Sequence, residues 1–86
     1  MPTLSRFHGI LIRMRYNDHA PPHFHAVYGE HELRVRIRPV TIVEGSAPAR
    51  VRSMVLEWTA LHQRELMDDW DRCRTGQLPE PIEPLG

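Results

Sequence analysis

Lysine is missing from this sequence. All 11 basic residues are arginines, and they balance 11 acidic residues to a formal charge of zero. Arginine is the planar, bidentate binder of carboxylate and phosphate, so an all-arginine complement suits anion recognition, although GC-rich coding would produce the same bias. Cysteine is nearly missing too: Cys73 stands alone, which rules out an internal disulfide and fits a reducing compartment. No apolar run approaches the roughly 18 residues a membrane span needs. The start, Met1-Pro2-Thr3-Leu4-Ser5-Arg6, lacks the basic and apolar regions of a secretory signal, so a cytoplasmic location is expected. There is no glycine-rich phosphate loop, serine nucleophile elbow or Cys-x-x-Cys pair. What remains is a globular composition, 41% hydrophobic and 26% charged over 86 residues, with room for one core and no second catalytic domain.

The zero net charge conceals a division. Residues 1–52 carry eight arginines against Asp18, Glu30, Glu32 and Glu44, a balance of +4, while residues 53–86 carry three arginines against seven acids, a balance of −4.

The basic half alternates with period two. Phe7–Tyr16 reads as a first strand, with Ile10, Ile12 and Met14 on one face and Leu11, Arg13 and Arg15 on the other. Asn17 to Pro22 cannot continue a ladder and forms a loop with a stiff, double-proline end. His23–Tyr28 is a second strand, Gly29-Glu30 a two-residue turn, His31–Arg38 a third strand and Val40–Val43 a short fourth. That turn sets the register. Phe24 opposes Val35 and Ala26 opposes Leu33 on an apolar face, while His25 opposes Arg34 and His23 opposes Arg36 on the other.

From Pro48 to Thr75 the period changes. Val51, Met54, Val55, Trp58, Leu61, His62, Leu66 and Cys73 recur at three- and four-residue steps, which predicts one helix of roughly 40 Å, bounded by Pro48 and Gly76. Its basic residues come early and its acids late, mostly the reverse of what the helix dipole favours. The expected fold is therefore α+β, a four-stranded antiparallel sheet with one long C-terminal helix on its apolar face. Residues 1–75 make the domain and 76–86 a proline-rich tail, extended or frayed.

The densest chemistry lies in Asp18-His19-Ala20-Pro21-Pro22-His23-Phe24-His25. His-x-His on a strand places two imidazoles on one side about 7 Å apart. His23 and His25, with His19 or Asp18 from the loop, would supply three ligands to a divalent metal such as zinc. Alternatively His23 and His25 act as acid and base with Asp18 orienting one of them, or the histidines line a polar sheet face and no more. Arg34, Arg36 and Arg38 read either as a ladder for phosphates or as a solvated outer face. Trp58 and Trp70 are the candidate interface residues, with a core position the alternative for each.

These residues resemble a known family. Ser5-Arg6-Phe7, Gly9-Ile10, the run from Asn17 to His25 with Tyr28-Gly29, Val55-Leu56-Glu57-Trp58 with Leu61-His62, and Ile82-Glu83-Pro84-Leu85 resemble the small bacterial proteins grouped as domain of unknown function 4160. The resemblance covers nearly the whole chain. It marks Asp18, His19, Pro21, Pro22, His23, His25 and Trp58 as motif positions, while the Arg34, Arg36, Arg38 ladder is not part of the pattern. It implies a neighbouring small protein as partner, in a gene arrangement similar to toxin-antitoxin pairs. The first expectation is thus an interaction or regulatory protein that docks its partner through the helix and the His/Arg face, with a homodimer or nucleic acid as further partners. The alternatives are a small His-dependent ribonuclease or metal-dependent hydrolase, and a metal-binding domain without catalysis.

Overall fold

In a computed structural model describing Met1–Gly86, five strands form an antiparallel meander in chain order: β1 (Thr3–Phe7), β2 (Ile10–Arg13), β3 (His23–Tyr28), β4 (His31–Arg36) and β5 (Thr41–Gly45). Two helices follow, α1 (Ala49–Leu61) and α2 (Gln63–Arg74). The architecture is α+β as expected, with one strand and one helix more than the sequence suggests.

The extra strand comes from a turn at His8-Gly9. Both residues have positive φ, 49° and 79°, the mark of a tight two-residue hairpin whose twist suits the flanking strands. Phe7 pairs with Ile10, so the expected first strand is instead the second arm of a hairpin. Its inward residues are as anticipated: Ile10, Ile12 and Met14 are buried.

The β3–β4 hairpin turns at Gly29, φ 57°. Its register pairs Tyr28 with His31, Ala26 with Leu33, Phe24 with Val35, His25 with Arg34 and His23 with Arg36, as the turn position requires. β4 ends at Arg36, two residues short of the expected Arg38, and the following turn leads into β5. Between Arg34 and Val35 the β4–β5 register slips, with Arg34 opposite Glu44 and Val35 opposite Ile42.

Phe24, Ala26, Leu33 and Val35 form the inner face, and Val51, Val55, Trp58 and Leu66 complete the core against them. Trp58 packs its ring 5.5 Å from that of Phe7 and 5.8 Å from that of Phe24. The expected single helix is broken at His62, whose φ of −124° and ψ of 25° leave the helical region. A straight helix over the same span would reach roughly 39 Å at 1.5 Å per residue, beyond the 34 Å longest dimension of the whole chain. The break lets α2 turn back so that Leu66, Trp70 and Cys73 stay buried. Gln63 secures the corner by donating from Nε2 to the Ile37 carbonyl at 2.8 Å. The split also resolves the charge anomaly in the C-terminal part, because α2 now has Glu65 in its first turn and Arg72 and Arg74 in its last. α2 ends in a left-handed Gly76, φ 77°, with Gln77 N–H reaching the Arg72 carbonyl at 2.8 Å.

The tail is extended and tied down. Ile82 is buried and its N–H donates to Leu4 O at 2.8 Å; Trp58 Nε1 donates to Glu83 O at 2.8 Å; Glu80 N–H donates to Asp69 Oδ1 at 2.8 Å. No helix is long and apolar enough to cross a membrane.

Candidate functional site

The loop between β2 and β3 is stitched to its surroundings by backbone bonds. Asn17, at φ 51°, donates its N–H to Cys73 O at the end of α2 (3.1 Å), and Pro22 O accepts from Ile37 N–H (3.2 Å). Asp18 is thereby held over the start of β3. Its Oδ1 accepts the His19 N–H at 2.8 Å, and its Oδ2 lies 3.0 Å from His23 Nε2.

His23 and His25, two residues apart on β3, face the same side with ring centroids 5.6 Å apart. Both are buried, 9% and 8% exposed. Trp70 on α2 backs His23 at 5.3 Å between ring centroids. Each imidazole is oriented by its Nδ1. That of His23 donates to Pro21 O at 2.8 Å, and that of His25 to Glu32 Oε2 at 3.1 Å, since carbonyl and carboxylate oxygens only accept. His25 Nε2 is buried and has no hydrogen-bond partner. One donor atom from each of Asp18, His23 and His25 lies within 4.8 Å of the others.

Two ionisation shifts follow from this setting. Burial raises the Asp18 carboxyl, but the His19 N–H, His23 and Arg15 together outweigh it, so the group sits below its usual 3.8 and is a carboxylate near neutrality. Burial dominates at His25 and, despite the opposing charge of Glu32, lowers it from the usual 6.5, favouring the neutral ring.

The cluster opens into a cleft of about 490 Å³ that Arg15, Arg34, Arg36, Glu32 and Glu44 also line. Arg34 makes a long ion pair with Glu44, 3.4 Å, in which both side chains are well exposed. Arg36 Nε is buried without a partner.

The structure therefore brings Asp18, His23, His25, Arg34 and Arg36 together. His19 lines the cleft but is exposed and stands outside the three-residue cluster, which is formed by Asp18, His23 and His25. Arg38 does not line the cleft, because β4 has already ended and Arg38 lies in the turn beyond it. Trp58 and Trp70 are 0% and 2% exposed and offer no contact surface: the first fills the space between sheet and α1, the second supports His23. Glu32 and Glu44 were not among the candidates. Glu32 shares a face with His25 in the register the turn dictates, so the signal for it was there. Glu44 carried none, since the slip in β4–β5 pairing decides where it points.

A five-stranded meander covered by a bent helix, with an Asp/His/His cluster in an arginine-lined cleft, defines a small α+β domain built around the Asp18–His25 segment. The family model described as Domain of unknown function (DUF4160) matches residues 9–71, and the chain belongs to that family. The match takes in β2 to β5, α1 and most of α2, including every residue of the cleft, and leaves out β1 and the tail. No curated protein and no solved structure matches the chain.

Proposed function

We propose that the chain is a divalent-metal-dependent hydrolase, with Asp18, His23 and His25 as ligands. The observation that carries this reading is the orientation of the two histidines. Each ties Nδ1 to a backbone or carboxylate acceptor and leaves Nε2 for a ligand: that of His23 faces Asp18 Oδ2 at 3.0 Å, and that of His25 is buried with no hydrogen-bond partner. Metal-ligating histidines are held in this way, the second hydrogen bond fixing tautomer and ring angle. Donors on a tetrahedral zinc lie about 3.3 Å apart at the usual bond lengths of about 2.0–2.1 Å. The three groups, within 4.8 Å of one another, need to draw in by at most about 1.5 Å. Three protein ligands leave a position open, as in hydrolytic rather than structural sites, and a metal bound there would lower the pKa of water and polarise a substrate oxygen.

Neighbouring arginines would repel a bare cation. Here they are matched in number, Arg15, Arg34 and Arg36 against Asp18, Glu32 and Glu44, so the carboxylates offset the arginine charge one for one.

The test is hydrolysis by the zinc- or manganese-loaded chain of a model phosphomonoester, phosphodiester and carboxylic ester. Turnover that depends on the metal and disappears in His25→Ala and Asp18→Asn is expected. Bound metal with no turnover on any of the three would leave a metal-binding domain without catalysis and overturn the hydrolase reading.

The partner-protein reading keeps support from one observation, the exposure of Arg15 and Arg34 on the cleft face. Affinity capture with the co-expressed neighbouring small protein tests it. Co-purification weakened by Arg34→Glu supports it, and no co-purification removes it.

A further inference from the structure

The cleft has more cationic hydrogen-bond donors than its own carboxylates use. Arg15 and Arg36 have no carboxylate within 4.0 Å, and Arg34 has only the solvent-exposed Glu44. An exposed pair of that kind contributes little and yields readily to a better ligand. Arg36 Nε is a buried donor with no acceptor, which costs stability until an acceptor arrives. All three arginines line the same cleft as the Asp18/His23/His25 cluster.

We infer that the ligand of this cleft is a phosphomonoester, its dianionic phosphate held by Arg15, Arg34 and Arg36 beside the metal; the inference rests on the metal reading above. Guanidinium groups match phosphate oxygens in shape as well as charge. The charge count selects a dianion. Three arginines and three carboxylates cancel, and a divalent metal then leaves the cleft at +2. Affinity for the phosphate is consequently coupled to the metal, and each ligand strengthens the other by the same factor.

The rest of the lining sets what the phosphate is attached to. Val43 is the one large apolar side chain present, and no Phe, Tyr or Trp ring lines the cleft. A nucleobase would find no large aromatic platform there, the one exposed ring being the His19 imidazole. The recognised part is therefore the phosphate itself, carried by a small polar group or by the end of a longer chain.

Titration calorimetry on the full chain tests this, with inorganic phosphate, glycerol phosphate, and an oligonucleotide with or without a 5′-phosphate as probes. Each is titrated into the metal-free protein and into protein holding one equivalent of zinc. Phosphate should bind the zinc-loaded form at least about tenfold more tightly than the metal-free form. Arg15→Ala and Arg34→Ala, both at exposed positions, and Arg36→Gln should each weaken phosphate by about tenfold, whereas zinc affinity measured without phosphate should not fall, since each variant removes a positive charge from beside the metal. Glycerol phosphate binding as tightly as the 5′-phosphorylated oligonucleotide supports a small ester as the ligand. A tighter oligonucleotide that still needs its 5′-phosphate moves the source to a nucleic-acid end and leaves the phosphate site standing. Equal binding of the oligonucleotide without its phosphate overturns the inference. Zinc binding without phosphate binding, or phosphate binding indifferent to all three arginine variants, also overturns it and leaves the metal centre intact. Failure to bind zinc at all strikes the metal reading instead.

Discussion

His25 and Glu32 are joined across the β3–β4 hairpin by a 3.1 Å hydrogen bond from Nδ1 to Oε2. The bond decides which ring nitrogen carries the proton and so leaves the other, Nε2, as a buried lone pair with no hydrogen-bond partner. Glu32 is thus a positioning residue. Glu32→Ala should lower zinc affinity by about 10–100-fold, the usual effect of removing the group that orients a ligating histidine. Glu32→Gln, whose amide oxygen still accepts, should recover part of that loss. A merely structural role would leave zinc affinity equal in the three proteins.

Gly45 ends β5, paired with Leu33 of β4. A Cβ there would lie 2.0 Å from the Glu32 carbonyl oxygen, and φ is 95°, a region side chains rarely adopt. Gly45→Ala must therefore displace backbone and should destabilise the chain by more than about 1 kcal/mol in urea unfolding. Because the displaced residue is Glu32, zinc affinity should fall with it. Unchanged stability would mean that β5 does not run beside Glu32 as described.

The tail seals the core beneath Trp58. Ile82 is 4% exposed, its N–H is bonded to Leu4, and the next residue accepts the indole N–H. Ile82→Ala should cost about 2–4 kcal/mol. Deleting residues 80–86 should cost more and shift tryptophan emission to the red, as Trp58 loses its cover. Native stability and emission after the deletion would show the tail to be dispensable.

Asp69 is 1% exposed, and its Oδ1 receives Arg72 Nη1 at 2.7 Å and the Glu80 N–H at 2.8 Å, while Oδ2 is buried without a partner. Burial raises its pKa above the usual 3.8 in spite of both donors. An acid whose folded pKa is raised favours the folded state most below its unfolded value, and that contribution is lost as pH rises through the folded pKa. Asp69→Asn, which keeps an acceptor for Glu80, should therefore gain on the wild type between about pH 4 and about pH 7. Urea unfolding at both pH values measures the difference. A variant that loses ground as pH rises would contradict the sign.

Much of the fold was readable because two periodicities meet at Pro48. The β3–β4 register followed from Gly29 alone, since a two-residue turn leaves one pairing. β1 escaped because its burial does not alternate, with Leu4 and Ser5 both buried, and because a histidine occupies the first left-handed position of the turn. The helix break escaped for a different reason. The apolar steps from Val55 through Trp58, His62, Leu66 and Trp70 continue unbroken in sequence, with no proline or glycine at the corner. The docking of the tail rests on main-chain bonds from Ile82 and Glu83, which side-chain patterns do not report. At the site, the Asp18–His25 run was visible as a cluster. The choice of Asp18 over His19 depended on how the loop is stitched to α2, a long-range contact.

The proposed metal site consists of Asp18, His23 and His25, three ligands with a fourth position open. Calorimetric titration of the purified full chain with zinc tests it most directly. One zinc per chain at micromolar affinity or tighter is predicted, lost in His25→Ala and weakened in Asp18→Asn, with His19→Ala binding as the wild type does. No zinc binding by the wild type, or binding that survives loss of His25 and disappears with His19, would contradict the account.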